Sequence, residues 1–427
     1  MKALTAFLLL AAMPLVAREI TVSEVTTAVL KAALKNLEAG DSVVLGEGVW
    51  PDVEVTFQGT GTKELPISLR AAVPGKTILT KNSRLEVSGA HLHVQGLWFR
   101  DPTQTSGEVI EFRTDSDELA FHCRVRECAV TSSHPVDLGK QTARFCSLYG
   151  SDNVVERCHF VGKNTGGTTL VVWLTPGGEG RHVIKENYFG PRPTLGDNGG
   201  ETIRIGDSKT HDQNARCVVT RNLFVRCDGE GEIISVKSCE NKLTHNTFIE
   251  CAGALTLRHA HRCTVENNLF AANHQKGTGG IRIVGEDHVV RHNWIENCEG
   301  DEYRCAVTFM NGIYETDDSG YQQVKRVLFE GNTVLDSKCT LLIGKQYRKN
   351  CTAPPMDCVI KNNAFISPAR QLIELRSEAP GWKWENNVMI GSSIGIEGLS
   401  GVETSKPKLQ RPKELTRAET GTPWLRD

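Results

Sequence analysis

The sequence lacks a strong net charge. Its 49 Lys and Arg residues nearly balance its 51 Asp and Glu residues, which leaves a formal charge of -2 at pH 7. Proteins that bind nucleic acid or anionic membranes through their overall field carry a marked positive charge, so we expect neither partner here. An anionic ligand would have to be held by a local group of cations.

Beyond the first 17 residues the chain also lacks an apolar run long enough to insert into a membrane. The run that does exist, "MKALTAFLLLAAMPLVA", has the form of a signal peptide. Lys2 supplies the positive charge, residues 4–16 the short apolar core, and Ala17 the cleavage point. We therefore expect a protein that is secreted or periplasmic.

The 14 cysteines lack CxxC pairs and lack the spacing of a zinc site, so a metal–thiolate centre is not expected. Export would permit disulfides. Many cysteines, however, fall at equivalent places in a repeat, which is typical of small side chains stacked in a core. We expect most of them to be buried and unpaired, with a full disulfide framework as the alternative.

The chain has little helical periodicity and instead carries an internal repeat, in which Asn stands two residues before an apolar residue. Eight asparagines share this pattern: Asn187, Asn222, Asn246, Asn268, Asn293, Asn332, Asn363 and Asn387. Their successive spacings are 35, 24, 22, 25, 39, 31 and 24 residues. Upstream, Cys128 and Cys158 occupy the Asn position, and "GLWF" at residues 96–99 resembles an earlier turn.

The short spacings of 22 to 25 residues predict an all-β fold, a single right-handed parallel β-helix. Each coil would contain three short strands, and the longer spacings would contain inserted loops. Asn tolerates left-handed bends, and its amide can bond the Asn of the next coil to form a ladder. A propeller blade needs more residues and a leucine-rich repeat needs regular Leu, so both fit less well.

The two ends differ in composition from the repeats. Residues 21–38 carry an apolar stripe at helical spacing, with Ser23 as a possible N-cap and Gly40 as a stop, which predicts a helix that caps the solenoid. From about residue 401 the chain is rich in Pro, Lys and Glu, and we expect an irregular tail on the outside. The predicted division is signal peptide 1–17, β-helix 18–400 and tail 401–427.

Alternation within the strands separates inward from outward side chains. Aligning "ETIRIGDS", "EIISVKSC", "ALTLRHAH" and "GGIRIVGE" on their apolar pairs places those pairs inside. Four cations then share one outward face: Arg204, Lys237, Arg258 and Arg282. A basic strip of this kind on a neutral protein suggests an anion-binding face, although exposed cations are also common on solenoids.

The segment "GEGEIISVKS", residues 229–238, adds two carboxylates to this face. Glu230 and Glu232 have the wrong alternation to share a straight strand with Lys237, but Gly229 and Gly231 permit a bend. The carboxylates would then lie at the rim of the cations, as Ca²⁺ ligands or as simple ion-pair partners. Asn198 or Glu201 of the preceding coil could complete a metal site.

These motifs resemble polysaccharide lyase family 6, which contains alginate lyases and chondroitinase B. The segments that carry the resemblance are "NGGETIRIG", "EGEIISVKSCENKLTHNTF", "GALTLRHAHRCTVENNLF" and "GGIRIVGEDHVVRHNWIEN". The resemblance implies a right-handed β-helix, with Lys237 as the base and Arg258 as the acid. It also implies that Ca²⁺ is held by Asn198, Glu230 and Glu232, and that His259 and Arg282 help to hold the substrate. We expect Arg204 of the cationic face and Tyr321 to contact the substrate as well.

Such an enzyme would cleave an anionic polysaccharide by β-elimination, most simply alginate, with the protein a monomer or homodimer. A dermatan sulfate lyase would need more cations, for which Lys325, Lys345 and Arg348 are candidates. A glycoside hydrolase would need clustered carboxylates, and pectate lyases carry different motifs. A carbohydrate-binding solenoid without catalysis is the remaining alternative.

Overall fold

A computed structural model describes residues 17–133, 141–196, 198–316, 320–405 and 407–426. Apart from Ala17, the predicted signal peptide lies outside the described residues. Three long parallel sheets run side by side along the chain, and successive strands enter the three sheets in turn. This arrangement confirms the all-β parallel solenoid, whereas its right-handed sense stays a prediction. Within the described residues, no helix is long and apolar enough to cross a membrane.

Sheet I has 14 strands. Its strands are Glu19–Val22, Ser42–Leu45, Ile67–Ala71, Leu92–Gln95, Arg124–Arg126, Val154–Glu156, Val183–Lys185, Val218–Thr220, Lys242–Thr244, Thr264–Glu266, Val289–Arg291, Leu328–Glu330, Val359–Lys361 and Lys383–Glu385.

Sheet II has 13 strands and carries the candidate site. Its strands are Glu54–Thr60, Arg84–Ala90, Glu108–Glu111, Ala120–Phe121, Arg144–Leu148, Leu170–Val172, Ile203–Gly206, Glu232–Lys237, Ala254–Leu257, Ile281–Ile283, Val307–Met310, Leu341–Lys345 and Ile373–Leu375.

Sheet III has 14 strands. Its strands are Gly48–Pro51, Thr77–Lys81, Leu97–Pro102, Ala129–Thr131, His159–Val161, Tyr188–Phe189, Leu223–Val225, Thr247–Ile249, Leu269–Ala271, Trp294–Glu296, Thr333–Leu335, Ala364–Gln371, Asn387–Ser393 and Val402–Glu403. The described residues also form two short 3-10 helices, Ser208–Thr210 and Glu302–Arg304.

The core consists of stacked columns of similar side chains, because equivalent residues of successive coils lie directly over one another. Five phenylalanines of sheet III stack in this way: Phe160, Phe189, Phe224, Phe248 and Phe270, with ring centroids 4.5 to 5.4 Å apart. The apolar pairs used to align the sequence are fully buried on sheet II. This packing fixes which side chains face outward.

The predicted asparagine ladder is present. The amide Nδ2 of Asn268 donates to Oδ1 of Asn293 at 2.9 Å, and the other neighbouring ladder residues pair at 2.9 to 3.1 Å. The backbone N–H of Cys158 donates to Asn187 Oδ1, so Cys158 does extend the ladder. The left-handed residue of each bend is the one before the Asn, such as His245 at φ 56°. The Asn side chain therefore forms the ladder, and the residue before it adopts the left-handed conformation of the bend.

The N-terminal helix is shorter than predicted and begins later. It spans Thr27–Ala33, and its N-cap is Thr26, whose side chain accepts from the N–H of Val29. Ser23 is not the cap, because the residues before it form the strand Glu19–Val22 and pair with Ser42–Leu45. Sheet pairing outweighs local helix propensity here. The helix packs on neighbouring strands, and its role as a cap stays a prediction.

The last residues run back along the outside of sheet III. Arg411 pairs with Glu296, and further along the guanidinium of Arg417 lies 3.8 Å from the ring centroid of Tyr188. Trp424 then donates from Nε1 to the carbonyl of Glu127 at 3.0 Å. The segment thus contacts successively earlier coils.

The prediction that most cysteines are buried and unpaired is confirmed. Cys305 and Cys339 form a disulfide. The other twelve are free and buried, so a full disulfide framework is wrong for this chain.

Candidate functional site

The cationic face lies on four consecutive strands of sheet II, in the register that the alignment predicts. Arg204 pairs with Ser235, Ser235 with Thr256, and Thr256 with Arg282. Val236 pairs with Leu257, so the residues that follow them, Lys237 and Arg258, are neighbours on adjacent coils. The structure therefore brings the four predicted cations onto one outward face.

The bend expected in "GEGEIISVKS" is a shift of register. Glu232 pairs with Ala254, but Ile234 pairs with Leu255, so one extra residue is accommodated between them. The shift places Glu232 on the same face as Ser235, whose hydroxyl donates to Glu232 Oε2 at 2.5 Å. Glu232 thereby joins the cations instead of pointing away from them.

Glu232 forms ion pairs with two of those cations. Its carboxylate contacts the guanidinium of Arg282, and Arg258 Nε lies 3.6 Å from Glu232 Oε1. Arg282 is 4% exposed, and burial lowers the pKa of its guanidinium. A buried cation of this kind needs a compensating charge, which Glu232 supplies.

Aromatic rings hold the two arginines in place from above. The guanidinium of Arg258 lies 3.7 Å from the ring centroid of Tyr321, which stacks on Tyr347 at 4.8 Å. Arg282 lies 5.3 Å from the ring centroid of Tyr303. Cation–π contact of this geometry restrains a guanidinium while leaving its N–H groups available for an anion.

These groups surround an open cavity of about 450 Å³. Six of the nine predicted site residues line it: Asn198, Glu230, Glu232, Arg258, Arg282 and Tyr321. Its wall also contains residues that sequence reasoning did not find, among them Thr194, Asp228, Tyr303, Arg304 and Tyr347. The cavity is therefore acidic at one end and cationic at the other.

The acidic end contains carboxylates that are short of partners. Burial, and then the charge of Glu201, raise the pKa of Glu230 to about 7. Glu201 is 2% exposed, and its Oε2 has no hydrogen-bond partner among the described residues. In that part of the chain, no three His, Cys, Asp or Glu side chains are grouped to hold a metal unaided. Any cation here would need the amide oxygen of Asn198 and other oxygens as well.

A buried arginine supports the acidic end from below. Arg192 is 2% exposed, and its guanidinium donates to the carbonyls of Glu201 at 2.8 Å and Gly167 at 2.7 Å. A Cβ at Gly229 would lie 2.8 Å from Arg192 Nε and 2.2 Å from the carbonyl oxygen of Gly200. The first glycine of "GEGE" therefore allows the acidic segment to rest directly on Arg192.

Lys237 does not line the cavity, but charged residues that surround the cavity affect its pKa. The side chain is half-buried, and burial lowers its pKa, with Arg204 and Arg258 adding to the effect and Glu201 and Glu230 opposing it. A lysine in such surroundings gives up its proton more readily than one in water. It therefore has the electrostatics of a general base.

The two remaining predicted residues lie at the edges of the cavity. His259 is 2% exposed, and its Nδ1 lies 3.3 Å from Gln322 Oε1. Burial, and then Arg258, lower the pKa of His259 to about 3, so its imidazole is neutral. Arg204 lies on the preceding coil, with its guanidinium 4.5 Å from the ring centroid of Trp173.

Four of the five missed residues named above come from the long spacings of the asparagine repeat, whereas Asp228 lies within a 24-residue spacing. Thr194 lies within the 35-residue spacing, Tyr303 and Arg304 within the 39-residue spacing, and Tyr347 within the 31-residue spacing. Loops inserted between coils form the cavity wall, so unusual spacing was the available signal. Which loop residues face the cavity depends on loop conformation.

Comparisons with known proteins agree with this geometry. The family model described as Chondroitinase B matches residues 24–421. The solved structure of the PL6 family alginate lyase AlyGC has 35% sequence identity and a TM-score of 0.87, covering 95% of this chain and 56% of that one. A variant of the same lyase has 33% identity and a TM-score of 0.90, covering 96% and 59%.

A further solved structure matches end to end. It is described as a mannuronic acid specific polysaccharide family 6 lyase from human gut microbiota, with 30% identity and a TM-score of 0.83, covering 96% of this chain and 97% of that one. This chain thus spans less than two thirds of AlyGC but nearly all of the gut lyase. No curated protein matches the chain at a significant level.

Proposed function

This chain belongs to the chondroitinase B family, polysaccharide lyase family 6, and we propose that it cleaves alginate by β-elimination. The observation that carries the proposal is the outward face that holds Arg204, Lys237, Arg258 and Arg282, where Arg258 and Arg282 line the same cavity as Glu230 and Glu232. The similar solved structures include the alginate lyase AlyGC, with a variant of it, and a mannuronic acid specific lyase. They support a uronate polymer as the substrate.

The cations would bind the uronate carboxylate and fix the sugar over Lys237. Arg282 and Arg258 point into the cavity, where paired N–H groups suit a carboxylate. Tyr321 holds Arg258 in orientation through its ring face. Because Glu232 neutralises part of this charge, the bound carboxylate is held without an excess of buried cations.

Lys237 would act as the base. The C5–H bond of the uronate breaks, the proton moves to Nζ of Lys237, and the electron pair forms the C4–C5 double bond. The C4–O bond breaks at the same time, and the leaving oxygen takes a proton from Arg258 or from a water that Arg258 orients. Arginine holds its proton tightly, although burial lowers the pKa of Arg258.

We also propose Ca²⁺ as a cofactor, held by Asn198, Glu230 and Glu232 at the acidic end of the cavity. When bound, such a cation neutralises the uronate carboxylate and makes the C5 proton more acidic. The residues fit this role, because Glu201 has a buried oxygen without a hydrogen-bond partner among the described residues, and because burial and then the charge of Glu201 raise the pKa of Glu230. Oxygen donors of this kind are those that Ca²⁺ prefers.

Dermatan sulfate is the second candidate substrate, since the matching family model carries the chondroitinase B description. The extra cations that sulfate would require are mostly engaged elsewhere. Lys345 pairs with Glu302, and Lys325 lines a different cavity beside Tyr314. Arg348 is exposed, with its guanidinium 5.3 Å from the ring centroid of Tyr347. These contacts favour the unsulfated polymer.

The substrate assay separates these possibilities. Purified protein would be incubated with alginate, polymannuronate, polyguluronate and dermatan sulfate, with added Ca²⁺ or with excess chelator. We expect ultraviolet absorbance from unsaturated uronate ends with the alginate polymers, and its loss with chelator. Activity on dermatan sulfate alone would establish the second candidate. Binding without any unsaturated product would establish a carbohydrate-binding solenoid.

We propose in addition that the protein acts outside the cytoplasm. Residues 1–17 have the three-part form of an export signal, and polymers such as alginate are found outside the cell. Expression with the full N-terminus followed by N-terminal sequencing of the extracellular fraction tests this. Residue 18 at the new N-terminus would support export, and a retained Met1 on cytoplasmic protein would contradict it.

A further inference from the structure

The outward row that contains Lys237 continues onto earlier coils of sheet II. Successive register partners place four residues in this row: Tyr149, Trp173, Gly206 and Lys237. Gly206 itself is buried, and a Cβ there would lie 2.9 Å from Thr210 Oγ1. The outward surface of this coil between Trp173 and Lys237 is therefore supplied by the half-buried Arg204. Trp173 and Tyr149 stand two and three coils from Lys237, which is about 10 and 14 Å at the usual strand spacing.

Aromatic and cationic groups alternate along this stretch. The rings of Tyr149 and Trp173 are stacked with centroids 6.2 Å apart, and the guanidinium of Arg204 lies 4.5 Å from the Trp173 centroid. All three side chains are half-buried, so the stack is held in place while part of each group still faces outward.

Arg204 and Trp173 also have unused hydrogen-bond donors. Among the described residues, the buried atoms Arg204 Nε and Nη2 and Trp173 Nε1 have no hydrogen-bond partner. Burial lowers the pKa of Arg204, and the charges of Glu201 and Asp207 oppose this effect. An anion bound against the outward part of the guanidinium would add to the compensation that these carboxylates provide.

The stretch ends at Tyr149, because the next cations are already neutralised. Arg113 lies over the ring of Tyr149 at 3.9 Å but donates to Glu111 at 2.5 Å. Arg144, whose guanidinium lies 5.2 Å from the ring centroid of Trp173, donates to Glu108 at 3.0 Å. These two arginines are therefore already paired with carboxylates, and of the cations beside the two rings Arg204 is the one left to bind a polyanion.

We propose that Tyr149, Trp173 and Arg204 form a platform that binds uronate residues two and three sugars away from the bond that is cleaved. The sugar rings lie against the aromatic faces, and Arg204 pairs with a uronate carboxylate. The polymer then runs parallel to the solenoid axis, and one sugar matches about one coil. This inference rests on the proposed function, because it extends the same binding track.

The test is the dependence of activity on substrate length in Trp173→Ala. With oligouronates from trimer to octamer, KM for the hexamer and longer chains is expected to rise roughly tenfold. The trimer can place at most one sugar on Trp173 and none on Tyr149, so its KM is expected to rise less than that of the hexamer. Trp173→Phe keeps a ring and is expected to recover most of the loss. Arg100→Ala is the control, since Arg100 lies over Trp98 at 5.3 Å on sheet III, away from the site.

An equal loss for trimer and octamer, or no loss for either, would overturn the platform. Hexauronate binding measured by calorimetry in a Lys237→Met background removes any dependence on cleavage. There the platform predicts weaker binding after Trp173→Ala, and unchanged affinity would count against it. If the wild-type protein cleaves no polymer, the proposed function fails, while this binding result still decides the platform.

Discussion

Replacing Asn268 by Ala tests whether the asparagine ladder holds the coils together. Asn268 is fully buried at the middle of the ladder. Its Oδ1 accepts from the backbone N–H and from Nδ2 of Asn246, both at 3.0 Å. Its Nδ2 donates to Leu243 O and to Asn293 Oδ1, both at 2.9 Å. The substitution removes these four contacts and opens no route for water.

The expected loss of stability depends on which hydrogen-bond partners of Asn268 keep another hydrogen bond after the substitution. Asn246 Nδ2 keeps its bond to Val219 O, and Asn293 Oδ1 keeps the backbone N–H of residue 268. The backbone N–H of Asn246 has no other acceptor among the described residues. A buried donor left without a partner costs about 1–3 kcal/mol, and each other lost bond about 0.5–1.5 kcal/mol. Together these give a loss of about 2.5–7.5 kcal/mol in the free energy of unfolding.

Urea unfolding followed by circular dichroism and by intrinsic fluorescence measures this free energy. Asn350→Ala is the matched control, because Asn350 is exposed and its backbone lies outside the left-handed region. We expect that control to change stability by less than about 0.5 kcal/mol. If Asn268→Ala cost no more than the control, the ladder would not be a stabilising element.

Three further predictions concern the site and the thiols. Arg204→Met should move the rising limb of the pH–rate profile to higher pH. Removing this nearby cation raises the pKa of Lys237, which must be neutral to accept a proton. An unchanged rising limb would mean that Lys237 is not the titrating base. Arg192→Met should weaken Ca²⁺ or terbium binding roughly tenfold by calorimetry or luminescence, since the acidic segment loses its support. Arg417→Met, in the C-terminal segment that lies over Tyr188, is the control, and equal affinities would refute this role. A thiol reagent should titrate twelve cysteines in denaturant and none rapidly in the folded protein; ready labelling of the folded protein would contradict their burial.

The fold was predictable because a solenoid repeats one local rule. Each coil needs an inward apolar pair and a ladder residue, so eight Asn positions and the alternation around them were enough to fix the register of sheet II. The bend before Ile234 was predictable from its glycines. The start of the N-terminal helix was not, since Glu19–Val22 pairs with a strand some 20 residues later.

The site was only partly predictable, for a related reason. The cations came from the repeat, but Glu232 meets Arg282 only after a register shift and across fifty residues of chain. The loops that carry Tyr303 and Tyr347 were visible as long spacings. Their conformations, however, depend on tertiary contacts that do not repeat from coil to coil. The arrangement of Arg192 beneath Gly229 is likewise a tertiary contact. The ligands of the cation and the roles of Lys237 and Arg258 stay predictions.

The most direct test of the proposed function is the rate at which Lys237→Met forms unsaturated uronate from alginate. Lys242→Met is the control, because Lys242 is exposed on sheet I, five residues further along the chain. The account predicts that the Lys237 variant binds alginate but loses activity by at least about a hundredfold, while the Lys242 variant remains active. Near-normal product formation by Lys237→Met would contradict the assignment of the base and, with it, the proposed mechanism.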